Sequence, residues 1–389
     1  MNDFLNYGKH WIDDDDIASV ADVLKSDFLT QGPKIGEFEK IYADYVGATY
    51  AVAVSNGTAA LHLAVSALDI DAGKRGITCP NTFAASANCF VYNNLKPGFA
   101  DIDAKTYCMD ADELEKQLTP DTAVVIPVHF AGQPCNMEKI TRVIQKQLTP
   151  PYIIEDASHA IGTTYENGLR VGSCCHCDMT IFSFHPVKTI ATGEGGMITT
   201  NNRTLYEKLI RRRTHGITKN ASELKIHDPE IVGPWYYEMQ DLGFNYRLTD
   251  IQAGLGISQM RKIDLFTTRR RQIVDRYNEA FRHIDFLTLP YEREGVRSVF
   301  HLYVIKIDFK GIGKTRTQVM GELRAKGIGT QVHYIPVHLQ PYYRENYGFK
   351  PGDFPNAEQY YEQCLSIPLY PKMTDEDVDR VIEIIKRIK

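Results

Sequence analysis

Ile17, Val20, Ala21 and Leu24 recur at three- and four-residue spacing behind the acidic run 13–16. That spacing predicts a helix with Asp13 or Asp14 as its cap, a solvated acidic first turn and those four residues on the buried stripe. From Tyr50 the pattern changes to short apolar runs, 50–54, 123–128, 152–154, 180–184 and 197–200, with amphipathic stretches such as 58–68 and 137–148 between them. Strands alternating with helices predict a mostly parallel sheet with helices on both faces. Past Ile263 the pattern shifts again: an Arg-rich helix over 266–281, a strand over 301–307, a helix over 317–326 and a strand near 330–334. A last helix starts at Thr374 with Val378, Val381, Ile382, Ile385 and Ile388 on one face. This reads as a smaller α+β unit. The boundary is expected within the helix around 259–268, giving a large α/β unit, 1–265, and a small unit, 266–389.

Composition narrows the class without naming it. The 389 residues are 43% hydrophobic and 24% charged with a formal charge of -5, enough for a core that needs no staples and too acidic for a dedicated nucleic-acid or anionic-membrane binder. Eight cysteines are too few for a disulfide framework in a chain of this length. The N-terminus carries neither a basic nor an apolar leader segment, and no apolar stretch approaches a membrane span. The expectation is a soluble protein of a reducing, cytoplasmic compartment.

Ligands of α/β sheets sit outside the carboxyl ends of the strands, so the residues just after each run carry the chemistry. Ser55-Asn56-Gly57-Thr58-Ala59-Ala60 opens a helix whose free amides favour an anion, with the Thr58 hydroxyl beside them; a plain Asn cap with a glycine turn reads equally well. Glu155 and Asp156 end an apolar strand and point to opposite faces, so only one faces a site; Asp156 serves as well for a turn cap as for a ligand. Lys188 stands in an apolar, glycine-rich stretch, 183–196, where desolvation lowers an amine's pKa toward nucleophilic use. An anion-binding helix end, a strand-end aspartate and an activated lysine are together the parts that pyridoxal 5'-phosphate requires.

Other motifs lead elsewhere and are set aside. Cys174-Cys175-His176-Cys177 lacks a second ligand pair at finger spacing, so no metal is expected. Gly311-Ile312-Gly313-Lys314-Thr315 lacks the first glycine of a P-loop, because position 308 is Asp. Gly193-Glu194-Gly195-Gly196 precedes a strand, not the helix of a dinucleotide fingerprint. The arginine runs 211–213 and 269–271 read as solvated helix faces.

The chain resembles the DegT/DnrJ/EryC1/StrS family of sugar aminotransferases, which have the aspartate aminotransferase (fold type I) architecture. The resemblance runs nearly end to end, through 29–33, 55–60, 155–160, 183–196, 243–252 and 331–334. It implies that Lys188 is the Schiff-base lysine and proton carrier, Asp156 the partner of the pyridine nitrogen, and His159 the neighbour of the cofactor's 3-hydroxyl. Gly57, Thr58 and Ser183 match phosphate ligands, and Asn245 matches one that reaches across from the second subunit of a homodimer. Phe83 matches the aromatic that stacks on the ring; Thr30, Gln31, His333 and Tyr334 match segments lining the sugar pocket. The stretches 184–188, 235–238 and 331–334 look most like those of transaminases acting on C4 of a UDP-linked 4-keto-6-deoxy-N-acetylhexosamine, with glutamate as donor, on a pseudaminic-acid-type route. Another nucleotide keto sugar, dTDP-linked or aminated at C3, is the alternative, as is dehydration. Family dehydratases replace the lysine with histidine, so Lys188 favours amine transfer.

Overall fold

The computed structural model describes residues 4–228 and 230–389. Its centre is a seven-stranded sheet: β1 (Tyr50–Val54), β2 (Arg75–Thr78), β3 (Lys96–Phe99), β4 (Thr122–Ile126), β5 (Tyr152–Asp156), β6 (Met179–Ser183) and β7 (Gly196–Thr200). The spatial order is β1-β7-β6-β5-β4-β2-β3. β7 runs antiparallel to both β1 and β6, and every other pairing is parallel. This is the α/β architecture expected of a fold type I aminotransferase. Two strands, β2 and β3, have no counterpart among the predicted runs. Each is four residues long and carries a glycine, and β3 also carries Pro97, which an edge strand tolerates because its amide side needs no partner.

Register places the site. Val54 and Ser183 both pair with Gly196, and Asp156 pairs with Ile181, so the carboxyl ends of β1, β5 and β6 meet along one edge of the sheet. Buried apolar side chains cover both faces of the sheet. A third apolar cluster gathers the C-terminal elements: strands Leu287–Thr288, Tyr303–Ile307 and Cys364–Ile367, and the helices Ile263–Phe281 and Asp375–Lys386. Leu5 joins that cluster from the other end of the chain. The strand expected near 330–334 is not one. Gln331 makes an isolated bridge to Ser366, and the strand beside Tyr303–Ile307 is Cys364–Ile367.

The helix Asp14–Leu24 forms with Asp13 as its cap, but it buries a different face from the one expected. Val23 and Asp16 are buried, whereas Ile17 and Leu24 are 60% and 57% exposed. Two contacts rotate it. Ser19 Oγ donates to the Gly254 carbonyl at 2.7 Å, and Asp16 is held by Lys262 Nζ at 2.5 Å and Gln259 Nε2 at 2.9 Å. The acidic turn is therefore solvated only at Asp14 and Asp15.

The arginine runs also depart from the solvated-face expectation. Arg212 pairs with Asp69 at 2.5 Å, Arg213 with Glu39 at 2.5 Å and Arg211 with Asp241 at 3.2 Å. Arg270 is buried, and its Nη1 donates to the carbonyls of His301 and Leu369, each at 3.0 Å. All eight cysteines are free thiols; those of Cys174 and Cys177 lie 3.6 and 3.3 Å from the Thr180 hydroxyl. Among the described residues no cluster of three His, Cys, Asp or Glu side chains is placed to hold a metal ion.

Candidate active site

A cavity of about 810 Å³ opens over the carboxyl ends of β1, β5 and β6. Its floor at β1 is the N-terminus of the helix Gly57–Ala67. Asn56 caps that helix, its side chain accepting from the Ala59 amide at 2.8 Å. The first-turn amides of Gly57 and Thr58 have no carbonyl a turn behind them to bond. Among the described residues the hydroxyls of Thr58 and Ser183 have no partner either, so four donors converge on one end of the cavity. Glycine is needed here for proximity: a Cβ on Gly57 would lie 2.8 Å from the Ser183 Cβ, and one on Gly196 would lie 2.6 Å from the Asn56 carbonyl oxygen. The helix end is thereby pressed against β6 and β7, an arrangement that suits an anion.

At the end of β5 the two carboxylates face opposite ways, as alternation requires. Glu155 turns inward to His129 Nε2 at 3.3 Å and accepts from the Tyr165 hydroxyl at 2.6 Å. Asp156 lines the cavity. Its Oδ2 accepts from Ser86 Oγ at 2.6 Å, its Oδ1 accepts from the Ser158 amide at 3.1 Å, and Thr82 Oγ1 lies 2.8 Å behind the Ser86 hydroxyl. Bonds at both oxygens fix the plane of the carboxylate.

Lys188 lies on the loop between β6 and β7 and reaches the same cavity. Burial pushes its amine down to about 8, with the charge of Asp156 opposing the shift. Three imidazoles surround it: His159, His301 and His333. Burial and the neighbouring Lys188 charge hold all three below the ordinary histidine range, His333 down to about 3. The His159 and His301 rings lie 4.5 Å apart. His333 Nδ1 is 2.7 Å from Ser366 Oγ, and the Tyr334 hydroxyl is 3.2 Å from His159 Nε2. An uncharged histidine wall leaves Asp156 as the carboxylate that faces the amine.

The structure brings nine of the sequence-derived candidates together: Gly57, Thr58, Phe83, Asp156, His159, Ser183, Lys188, His333 and Tyr334 all line this cavity. Thr30, Gln31 and Asn245 do not. They are exposed; Thr30 bridges Thr249 and Asn245 bridges Thr214. His185, left without a role by the sequence, stands exposed at the cavity wall. Several lining residues escape a sequence reading. Thr82 and Ser86 carry a usable signal, hydroxyls four residues apart at the start of a helix beside Phe83. Tyr7 and His301 carry none, since folding alone brings them to β5 from either end of the chain.

Comparison with known proteins places this geometry. The model of the DegT/DnrJ/EryC1/StrS aminotransferase family matches residues 10–386. The chain is 43% identical to the spore coat polysaccharide biosynthesis protein SpsC of Bacillus subtilis over 388 residues, covering 100% of this chain and 97% of that protein. Its fold superposes on Helicobacter pylori PseC, an aminotransferase involved in the biosynthesis of pseudoaminic acid, with a TM-score of 0.91 at 27% identity over 99% of both chains. It also superposes on the PMP-form of a putative sugar aminotransferase, Spr1654 of Streptococcus pneumoniae, with a TM-score of 0.90 at 32% identity over 98% of both. The residues present fit pyridoxal phosphate: four unpaired donors for its phosphate, a braced carboxylate for its ring nitrogen and an amine of lowered pKa for its aldehyde. The chain belongs to the DegT/DnrJ/EryC1/StrS aminotransferase family and is a pyridoxal-phosphate-dependent sugar aminotransferase.

Proposed function

We propose that the enzyme moves an amino group from glutamate to C4 of a UDP-linked 4-keto-6-deoxy-N-acetylhexosamine, as a cytoplasmic homodimer with shared active sites. The observation that carries amine transfer is the meeting of Lys188, with its amine near pH 8, and the braced Asp156 in one cavity with an anion-binding helix end. When bound, pyridoxal phosphate supplies an electron sink and a carrier for the amino group. The chain supplies the rest. Gly57, Thr58 and Ser183 hold the phosphate, Phe83 covers the ring, and Asp156 keeps a proton on the ring nitrogen. Lys188 anchors the cofactor between turnovers and, once displaced, carries the proton between carbon positions as a base whose pKa, lowered by burial to about 8, leaves a usable neutral fraction near that pH. His333 and Tyr334 meet the sugar. The cofactor unit is 1–265 and the smaller unit 266–389.

Dimerisation accounts for the three candidates outside the cavity. Thr30, Gln31 and Asn245 lie on exposed surface close in sequence to exposed apolar residues, Phe28, Leu29 and Leu242, with Ile17 and Leu24 on the preceding helix. A second copy docked there would carry those polar groups into its neighbour's cavity and cover the apolar ones.

A second reading keeps the reaction and changes the sugar. Full-length identity of 43% to SpsC supports a keto sugar destined for a polysaccharide. Purified protein given pyridoxal phosphate, glutamate and UDP- or dTDP-linked keto sugars separates the two, with 2-oxoglutarate release as the readout. The expected outcome is release with the UDP sugar, and a visible absorbance band that Lys188→Ala abolishes. No band in the wild-type protein sinks the amine-transfer reading; preference for dTDP sugars selects the second.

A further inference from the structure

The direction of hydrogen bonding between His159 and Tyr334 follows from what stands behind them. The Ala131 amide lies 3.2 Å from His159 Nδ1. An amide only donates, so Nδ1 is the acceptor. Burial and the neighbouring Lys188 keep this imidazole uncharged, which puts its single proton on Nε2. Nε2 lies 3.2 Å from Tyr334 Oη and therefore donates to it. The phenol's own hydrogen is left to go elsewhere, and among the described residues no acceptor is placed to take it.

Everything else around Tyr334 keeps that hydrogen in place. Its backbone amide is 3.3 Å from Asn81 Oδ1, and its ring meets the edge of Phe130 and tilts against Phe83. Burial and the nearby Asp156 charge hold the hydroxyl well above the ordinary phenol range, so it stays a donor at any working pH. The residue lines the same cavity as Lys188.

We propose that Tyr334 is a directed O–H donor, oriented by the chain Ala131 to His159 to Tyr334, to one electron-rich oxygen of the ligand bound at Lys188. That oxygen belongs either to the cofactor's ring, at its 3-position, or to the sugar beside the carbon being aminated. The proposal rests on the amine-transfer reading above and assigns Tyr334 a specific act within it. A phenylalanine at this position would fill the same space and give no such bond.

Tyr334→Phe removes one oxygen and tests the assignment with two readouts. If the cofactor oxygen is the target, the pH at which the visible band of the loaded, substrate-free protein changes will move by about one unit, and pyridoxal phosphate will bind about tenfold more weakly. If the sugar oxygen is the target, band and affinity will stay as in the wild type. The glutamate half of the reaction will then hold within about twofold, while the sugar half loses about 10- to 100-fold. A Tyr334→Phe protein matching the wild type in band, cofactor affinity and both half-reactions overturns the proposal. The orienting chain is tested by His159→Leu alone and combined with Tyr334→Phe. Losses much smaller than additive are expected, and fully additive losses would refute the chain. A wild-type protein with no band defeats the underlying reading instead, so the two failures are distinguishable.

Discussion

Asp156 and Lys188 show what a single residue's setting does to its chemistry. A carboxylate at a strand end is common; one with a serine hydroxyl on one oxygen and an amide on the other is fixed in plane. That much was partly legible in the sequence. Strand alternation sent Glu155 and Asp156 to opposite faces, and Lys188 stood out by its glycine-rich surroundings. The brace was not legible, because Ser86 lies on a different element, and neither was His301. The arginine runs were misread for the same reason: their carboxylate partners, Glu39, Asp69 and Asp241, are remote in sequence. Burying Lys188 has a cost that can be measured. Its amine falls from 10.5 to about 8 on folding, so below pH 8 the folded chain carries a poorly solvated charge, and the penalty fades as pH rises toward 10.5. Lys188→Met is therefore expected to stabilise the unloaded protein by about 2 kcal/mol at pH 7, and by almost nothing above pH 10. Thermal unfolding at the two pH values checks this; an equal gain at both would contradict the assigned cause.

At the scale of elements, the cradle depends on three segments approaching more closely than side chains normally allow. Gly57 touches β6 through Ser183, and Gly196 starts β7 directly beneath Asn56. Gly57→Ala places a methyl 2.8 Å from the Ser183 Cβ. The expected outcome is a loss of about 1–3 kcal/mol of stability, with pyridoxal phosphate binding at least about tenfold weaker because the helix end is pushed off its anion position. Adding Ser183→Gly relieves the crowding and should restore stability, while cofactor binding stays weak for want of the serine hydroxyl. Recovery of both would mean that Ser183 serves packing alone. The elements show where periodicity stops being informative. Continuous apolar runs, such as β1, were placed to the residue, whereas β2 and β3 are short and contain the glycine and proline that ordinarily mark turns. The helix Asp14–Leu24 was found but turned the wrong way, because an ion pair to Lys262 and a glycine contact at Gly254 outweigh its apolar stripe.

That exposed stripe matters at the scale of the whole molecule. Ile17, Leu24, Phe28 and Leu29 remain in solvent on one chain, and so do Asn245, Thr30 and Gln31, to which the family resemblance assigns contacts with a cofactor and a sugar. The proposed two-fold dimer would account for both, with Asn245 of each copy completing the cavity that holds the other copy's Lys188. Mixing inactive variants tests it without a structure of the dimer. Lys188→Ala and Asn245→Asp proteins, each inactive or nearly so, are unfolded together and refolded at equal concentration. Half of the dimers then contain one copy of each variant. If the site is shared, one of the two cavities in a mixed dimer receives Lys188 from one chain and Asn245 from the other, both unaltered. The mixture is then expected to recover about a quarter of wild-type activity. If Asn245 served its own chain's cavity, every cavity in every dimer would carry one lesion and no activity would return. Adding Ile17→Glu and Leu24→Glu to both partners should abolish the recovery by placing charge on the buried face of the dimer, with a monomeric mass by light scattering. Recovery that survives those two substitutions would move the contact between copies to another face.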